Sequence, residues 1–401
     1  MAGELPVIVV GAGPTGMTAA AMLAHRDIPV VVVEAEPEVK TDWRASTFHA
    51  ATLELLETIG VTGQMLEEGL VVPIYQFRDR HEGMVAEFDF RLLAGETRYP
   101  YRLQLNQQHL VRMLQRRLRG DDRVELRFGT RAVGVASNGD GVTVTVRAGG
   151  GTRRLRGCFA IGADGASSSV RQAMGAGFEG FTYPERFLIV STTADLRRLI
   201  PDLADVNYVA DPRQWLFILR TPESWRALFP VPAWQSTEQA VAPETLQAQL
   251  QELAPYQPGY PIVDAQIYNV HQRVATTFRA GNVVIAGDAA HINSPIGGVG
   301  LNSGIHDVAD VTARIARILA GADRDAELDT FAEVRRRVAL EYVQADTHRN
   351  TERLKETDPA RRRQIQAEMR ATAADPERAR AWMRRVSLLE SVRSFGIGVP
   401  P

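Results

Sequence analysis

A buried strand that runs straight into three glycines, then an alanine-rich helix, then a second strand ending in an acid, restricts this chain more than any other feature. Leu5–Val10 is an apolar run of strand length, GAGPTG occupies 11–16, Met17–His25 has helical propensity, and Pro29 precedes the run Val30–Glu34. A strand–helix–strand unit of about 30 residues is what a parallel crossover requires, so a parallel sheet covered on both faces is expected. Gly11 permits the tight turn, Gly13 lets a pyrophosphate approach backbone N–H groups, and Gly16 allows helix and strand to pack closely. Glu34 stands where it can accept from ribose hydroxyls. The pattern predicts a dinucleotide site without choosing between NAD and FAD.

Two later segments have the same strand-to-loop character. GADGASSSVR at 162–171 follows the apolar Cys158–Ile161 and sets Asp164 at a strand end. Asp164 either faces a cofactor or belongs to an Asp-Gly turn capped by Ser167–Ser169. NVVIAGDAAHINSPIGGVGLNSGIHDV at 282–308 is a strand, an Asp at its end, and a Pro- and Gly-rich loop entering a helix. Asp288 is placed to bond a polyol hydroxyl, and the N–H groups of Gly297–Asn302 to polarise a ring carbonyl.

Between these motifs, 50–59 and 108–119 carry Leu at helical spacing, whereas 123–128 and 141–147 alternate as strands do, and SNGDG at 137–141 signals a hairpin. Phe187–Phe229 breaks into short alternating runs, joined by 262–277, which suggests an antiparallel sheet inserted into the parallel domain. After Asn302 the apolar residues repeat every three to four positions, and the Arg-rich stretch 361–385 continues that style.

Several function classes drop out on elementary grounds. Forty-six Lys and Arg against 48 Asp and Glu provide no field for nucleic acid. The single Cys158 supports neither a disulfide redox centre nor a thiolate metal site, and the histidines show no ligand spacing, so no metal is expected. No apolar run approaches the ~20 residues of a membrane span, and the first strand lacks the flanks of a secretory signal. A cytoplasmic location is the expectation.

The three motifs, in this order and spacing, resemble the single-component FAD monooxygenases of the para-hydroxybenzoate hydroxylase group, over roughly residues 5–345. The resemblance implies that Gly11, Gly13, Gly16 and Glu34 hold the ADP half of FAD, that Asp164 lies near FAD and the nicotinamide route, and that Asp288 holds the ribityl chain and ring. It also gives Arg44, in WRAST, to the pyrophosphate or ribose, and Gln107, in LNQQHL, to the cofactor. Pro295, Gly298, Gly300, Leu301 and Asn302 fall in the loop that runs beside the flavin ring in that family.

The resemblance further implies an α/β fold: a Rossmann-like FAD-binding domain with a parallel sheet, an interleaved antiparallel-sheet substrate domain, and C-terminal helices. The FAD domain would use 1–75, 101–178 and 270–345, the substrate domain 76–100 and 179–269, and the helical segment 346–401. FAD is the bound cofactor and NADPH or NADH the transient one, since no second fingerprint is present. In the implied cycle NAD(P)H reduces FAD, oxygen adds at the flavin C4a, and the hydroperoxide hydroxylates a phenolic or heteroaromatic small molecule. The oxidant belongs to the cofactor, so no side chain is assigned as catalytic, His291 and His306 included.

Substrate contacts are expected from the inserted sheet, with Asn207, Trp215 and Phe217 as candidates; Trp215 and Phe217 share a strand face, which equally suits plain sheet packing. Tyr208 is expected to point away from Asn207. The C-terminal segment reads as solvated helices, or as a membrane-surface helix with Trp382, Val386, Leu388 and Leu389 as its apolar contacts. Competing readings are a flavin halogenase, a reductase of isoprenoid double bonds, and a non-catalytic flavin-binding sensor. The expected partners are a small aromatic substrate, O2 and NAD(P)H, in a monomer or homodimer without nucleic acid or a transmembrane segment.

Overall fold

The computed structural model describes residues 5–40, 43–139, 141–257 and 259–397. Its first sheet runs Val283–Ile285, Ala160–Gly162, Val7–Val10, Val30–Val33, Val124–Arg127, all parallel, with Arg279–Ala280 antiparallel at one edge. Central strands such as VIVV and VVVV are apolar at every position because a parallel sheet is covered on both faces. The first helix, Pro14–Ala24, starts three residues before Met17, since proline at the first helical turn costs no hydrogen bond. It packs against Gly300–Leu319 and Gln107–Leu118. In the SNGDG hairpin, Arg131–Asn138 pairs antiparallel with Gly141–Ala148, and Asp140 lies outside the described residues.

The second sheet has eight strands in the order His291–Ile292, Ile262–Ala275, Phe178–Thr192, Trp225–Val231, Leu216–Arg220, Val206–Ala210, Ile74–Asp79, Gly83–Asp89. All neighbours are antiparallel except Val206–Ala210 with Ile74–Asp79. Side chains alternate between its faces with period two. Phe187, Ile189, Tyr208, Phe217, Leu219 and Leu228 join the main core, while Leu188, Val190, Val209, Leu216, Ile218 and Phe229 pack under the helix Pro243–Leu253 through Leu246 and Leu250.

The C-terminal segment wraps over one end of this sheet as helices Ala345–Lys355, Pro359–Ala374, Pro376–Val386 and Leu389–Phe395. Asp358 and Asp375 cap two of them by accepting from backbone N–H groups. Trp382, Val386, Leu388 and Leu389, read from the sequence as possible membrane contacts, pack inward. The arginines dock the segment: Arg384 and Arg393 each lie 2.6 Å from Glu96, Arg362 lies 2.6 Å from Asp79, and Arg385 lies 3.0 Å from Asp346. Among the described residues no helix is long and apolar enough to cross a membrane.

Hydrogen bonding to Arg384, reinforced by Arg393, holds the Glu96 carboxyl at about 2, below its ordinary 4.5. A carboxylate depressed in this way adds stability that is complete above pH 4.5 and is lost as the pH falls toward 2. The C-terminal helices are therefore expected to loosen across that window, read as exposure of Trp382 in fluorescence. A Glu96→Gln variant should lose the pH-dependence of this step while keeping a weaker dock.

Candidate functional site

Between the two sheets lies a cavity of about 1180 Å³. Gly11, Gly13, Glu34, Arg44, Gln107, Asp164, Asp288, Pro295, Gly298, Gly300 and Leu301 all line it, together with Phe217. Gly16 and Asn302 stand behind its wall, and Asn207 and Trp215 do not reach it. Asn207 is on the outer face of the second sheet, where its Nδ2 donates to the Ala204 carbonyl at 2.7 Å. Trp215 packs edge-on against Phe187, with centroids 5.1 Å apart. Tyr208, opposite Phe217 in the register, takes the inward face.

The glycine turn leads into the N-terminus of Pro14–Ala24, so unpaired N–H groups and the positive end of the helix dipole meet the cavity. Glu34 accepts from Ala12 N–H at 2.7 Å and Glu36 N–H at 2.9 Å, clamping the turn to the second strand. A carboxylate has about four acceptor positions, so two remain for ribose hydroxyls. Asp164 accepts from Ser168 Oγ at 2.5 Å, Ser169 N–H at 2.7 Å and Ser169 Oγ at 2.9 Å, so it caps Ser169–Ala173 and lines the cavity at once.

Asp288 projects into the cavity and is open to it; the surrounding protein desolvates its carboxyl and raises its pKa, against the pull of His291 and Arg44. Beneath it, Asp307 accepts from Gly287 N–H at 2.9 Å, His291 Nε2 at 2.8 Å and Arg335 Nε at 2.7 Å. Burial pushes the Asp307 carboxyl up, but His291 and Arg335 outweigh it and hold it below the usual range. This buried network fixes the backbone that presents Asp288. Asp307 stands near the end of the 282–308 segment and Arg335 outside any motif, and nothing in the sequence singles out either one.

Asn302 holds the loop beside the cavity in place. Its Nδ2 donates to the carbonyls of Thr47 (2.8 Å) and Gly298 (2.6 Å), and its Oδ1 accepts from His49 N–H (2.9 Å). His49 in turn bonds the Gly297 carbonyl at 3.1 Å through Nε2, and burial followed by Arg102 pushes its pKa down to about 3, so it stays neutral. Asn302→Ala would strand three buried backbone groups at about 1–3 kcal/mol each. We expect it to weaken FAD binding by at least about 10-fold, measured by flavin fluorescence titration.

A second, smaller chamber of about 40 Å³ shares Val299 with the first as a lining residue, at the Gly297–Val299 loop. Tyr75, Phe77, Phe88 and Tyr208 wall it from the sheet, and Arg353, Met369 and Trp382 from the C-terminal helices. Arg102 enters it, only 2% exposed, with its guanidinium 4.5 Å over Tyr75, 5.2 Å from Phe90 and 5.8 Å from Tyr208. It donates to Tyr208 Oη at 3.1 Å, Nε has no partner, and no carboxylate among the described residues pairs with it. Arg102 and Tyr75 escaped sequence reasoning, and Tyr208 entered it only as the residue facing away from Asn207. Their one signal is an arginine amid the tyrosines and leucines of YPYRLQL.

The FAD binding domain family matches residues 4–346. The chain belongs to that family. Among its relatives is para-nitrophenol 4-monooxygenase of a Pseudomonas species, 32% identical over 387 residues, which is 95% of this chain and 94% of the relative. 6-Hydroxy-3-succinoylpyridine 3-monooxygenase of Pseudomonas putida is 30% identical over 353 residues, 84% of this chain and 86% of that one. The crystal structure of p-nitrophenol 4-monooxygenase from Pseudomonas putida superposes with a TM-score of 0.90 at 30% identity, covering 97% of this chain and 98% of that one. This FAD-binding-domain protein is an FAD-dependent monooxygenase of the aromatic hydroxylase type. Its residues suit the dinucleotide: a glycine turn opening on N–H groups, an acid beside it, and a helix N-terminus at Gly300 facing the same cavity.

Proposed function

We propose that this monooxygenase acts on a phenol substituted at carbon 4, such as para-nitrophenol, and binds it as the phenolate. The observation that carries the reading is Arg102: a buried guanidinium with no carboxylate partner among the described residues is costly unless an anion joins it. At a chamber walled by aromatic rings, of a size that admits the oxygen-bearing end of a ring, a phenolate supplies that charge. The para-nitrophenol monooxygenases, alike over almost the whole chain, support the substrate class.

Bound FAD, reduced by NAD(P)H drawn from the cytoplasm, would supply the activated oxygen, with Gly11, Gly13, Gly16, Glu34, Arg44, Gln107, Asp164, Asp288 and the 295–302 loop as its holders. The protein's own contribution is to set the ring. Arg102 stabilises the phenolate oxygen, and Tyr208 Oη, which accepts from Arg102, turns its proton toward that oxygen. Burial raises the Tyr75 hydroxyl pKa, so it remains a neutral donor. With the oxygen held here, carbon 4 faces the Gly297–Val299 loop, and electron density pushed from the phenolate accumulates at that carbon; oxygen added there displaces the substituent with its bonding pair, nitrite in the case of 4-nitrophenol, and the ring leaves as the quinone.

The test compares 4-nitrophenol with 4-nitroanisole, which has the same outline but cannot ionise. The FAD-loaded protein should oxidise NAD(P)H faster with the phenol and show no stimulation by the ether. Equal stimulation by both would contradict the assignment of Arg102.

A further inference from the structure

The small chamber is lined, beside the sheet and the Gly297–Val299 loop, by residues beyond 346, past the 4–346 that the FAD binding domain family matches. Trp382 is the largest of them. Its ring stacks on Phe88 with centroids 5.9 Å apart at 27°, the Arg353 guanidinium lies 5.0 Å over its face, and its Nε1–H donates to Tyr75 Oη. Tyr75 in turn stacks on Phe88 at 5.1 Å and lies under Arg102. The indole is therefore held in one orientation, bonded to the hydroxyl of the tyrosine whose ring lies under the Arg102 guanidinium.

The size of the chamber decides what meets that wall. A benzene ring needs a void of about 150 Å³, whereas this one has about 40 Å³. Only the oxygen-bearing end of a phenol fits within it, and the rest of the ring would extend past Val299, which lines both cavities, toward the larger one. The carbons flanking the oxygen, positions 2 and 6, are then the ones that face Tyr75, Phe88 and Trp382.

Resting on the phenolate reading above, we propose that Trp382 is a specificity-determining residue, whose indole excludes phenols bearing bulk beside the hydroxyl. The C-terminal helices thus act as a selectivity wall for the ring edge nearest Arg102, and a change confined to that segment alters which phenols are accepted without touching the flavin cavity.

The experiment measures kcat/KM for 4-nitrophenol and for 2-isopropyl-4-nitrophenol in wild type, Trp382→Phe, Trp382→Leu and Trp382→Ala, with flavin absorbance reporting that each variant is folded and loaded. One misplaced methylene in a tight apolar pocket changes kcat/KM by about 10- to 200-fold. The ratio favouring 4-nitrophenol should fall at least about 10-fold in Trp382→Ala, less in Trp382→Leu, and little in Trp382→Phe. If Trp382→Ala does not load flavin, the Leu variant carries the comparison. A ratio unchanged within about twofold in every flavin-loaded variant would overturn the proposal. A wild-type protein that turns over neither phenol would instead remove the reading on which it rests.

Discussion

Arg102→Met is expected to lower kcat/KM for 4-nitrophenol by about 30- to 5000-fold. Removing one partner of a buried, hydrogen-bonded charge pair costs about 2–5 kcal/mol, and each 1.36 kcal/mol is tenfold in rate. The loss should change character with pH. In the wild type, Arg102 favours the bound phenolate, so turnover is expected below the pH at which the free phenol ionises. In the variant, turnover should track ionisation of the free phenol and rise with pH. Methionine keeps much of the packing against Tyr75 and Phe90. The variant should also unfold at higher temperature than wild type in the absence of substrate, because a buried cation without a carboxylate is replaced by an apolar chain. Lower activity with higher stability is the signature of a binding charge; a purely structural arginine would lose both.

The glycine turn provides the second large effect, and its three glycines should fail in different ways. A Cβ at Gly16 would sit 1.9 Å from the Gly11 carbonyl oxygen, and one at Gly11, whose φ is +104°, would sit 2.4 Å from the Ala163 oxygen. Both contacts are with backbone, which cannot swing away. Gly11→Ala and Gly16→Ala should therefore disturb the packing of Pro14–Ala24 on the sheet, lowering thermal stability and abolishing FAD binding together. Gly13 has an ordinary φ of −73°, a Cβ added there would meet nothing within 4 Å, and it lines the cavity. Gly13→Ala should leave the apoprotein's unfolding temperature nearly unchanged while weakening FAD by about 100-fold, as the added methyl occupies the path of the pyrophosphate. Calorimetry of the apoprotein beside flavin titration separates the two outcomes, and equal stability losses at all three positions would contradict this division.

How much could be read in advance depended on how local each feature is. The turn at Gly11–Gly16, Asp164 and the loop Pro295–Leu301 are strand-to-loop-to-helix signals contained within about 10–30 residues, and the fold brings them to one cavity. Which way a side chain faces in the second sheet is not local. Asn207 and Tyr208 differ by one position, and only the pairing with Leu216–Arg220 and Ile74–Asp79 decides that Tyr208 turns inward. The Arg102 chamber was hidden for the same reason, being assembled from 75–102, 208, the 297–299 loop and the C-terminal helices. Trp382 reads as a contact for an outside surface because its partners, Phe88 and Tyr75, lie about 300 residues earlier in the chain.

Whether this chain places one oxygen atom on a phenol bound by Arg102 is decided by incubating the FAD-loaded protein with NADPH, 4-nitrophenol and isotopically labelled O2, then reading the product by mass spectrometry. A ring product carrying one labelled oxygen atom is expected, formed with phenol-stimulated NADPH consumption and lost in Arg102→Met. Product that has gained two hydrogens, or NADPH consumption whose oxygen is recovered entirely as hydrogen peroxide, would refute oxygen transfer to the ring.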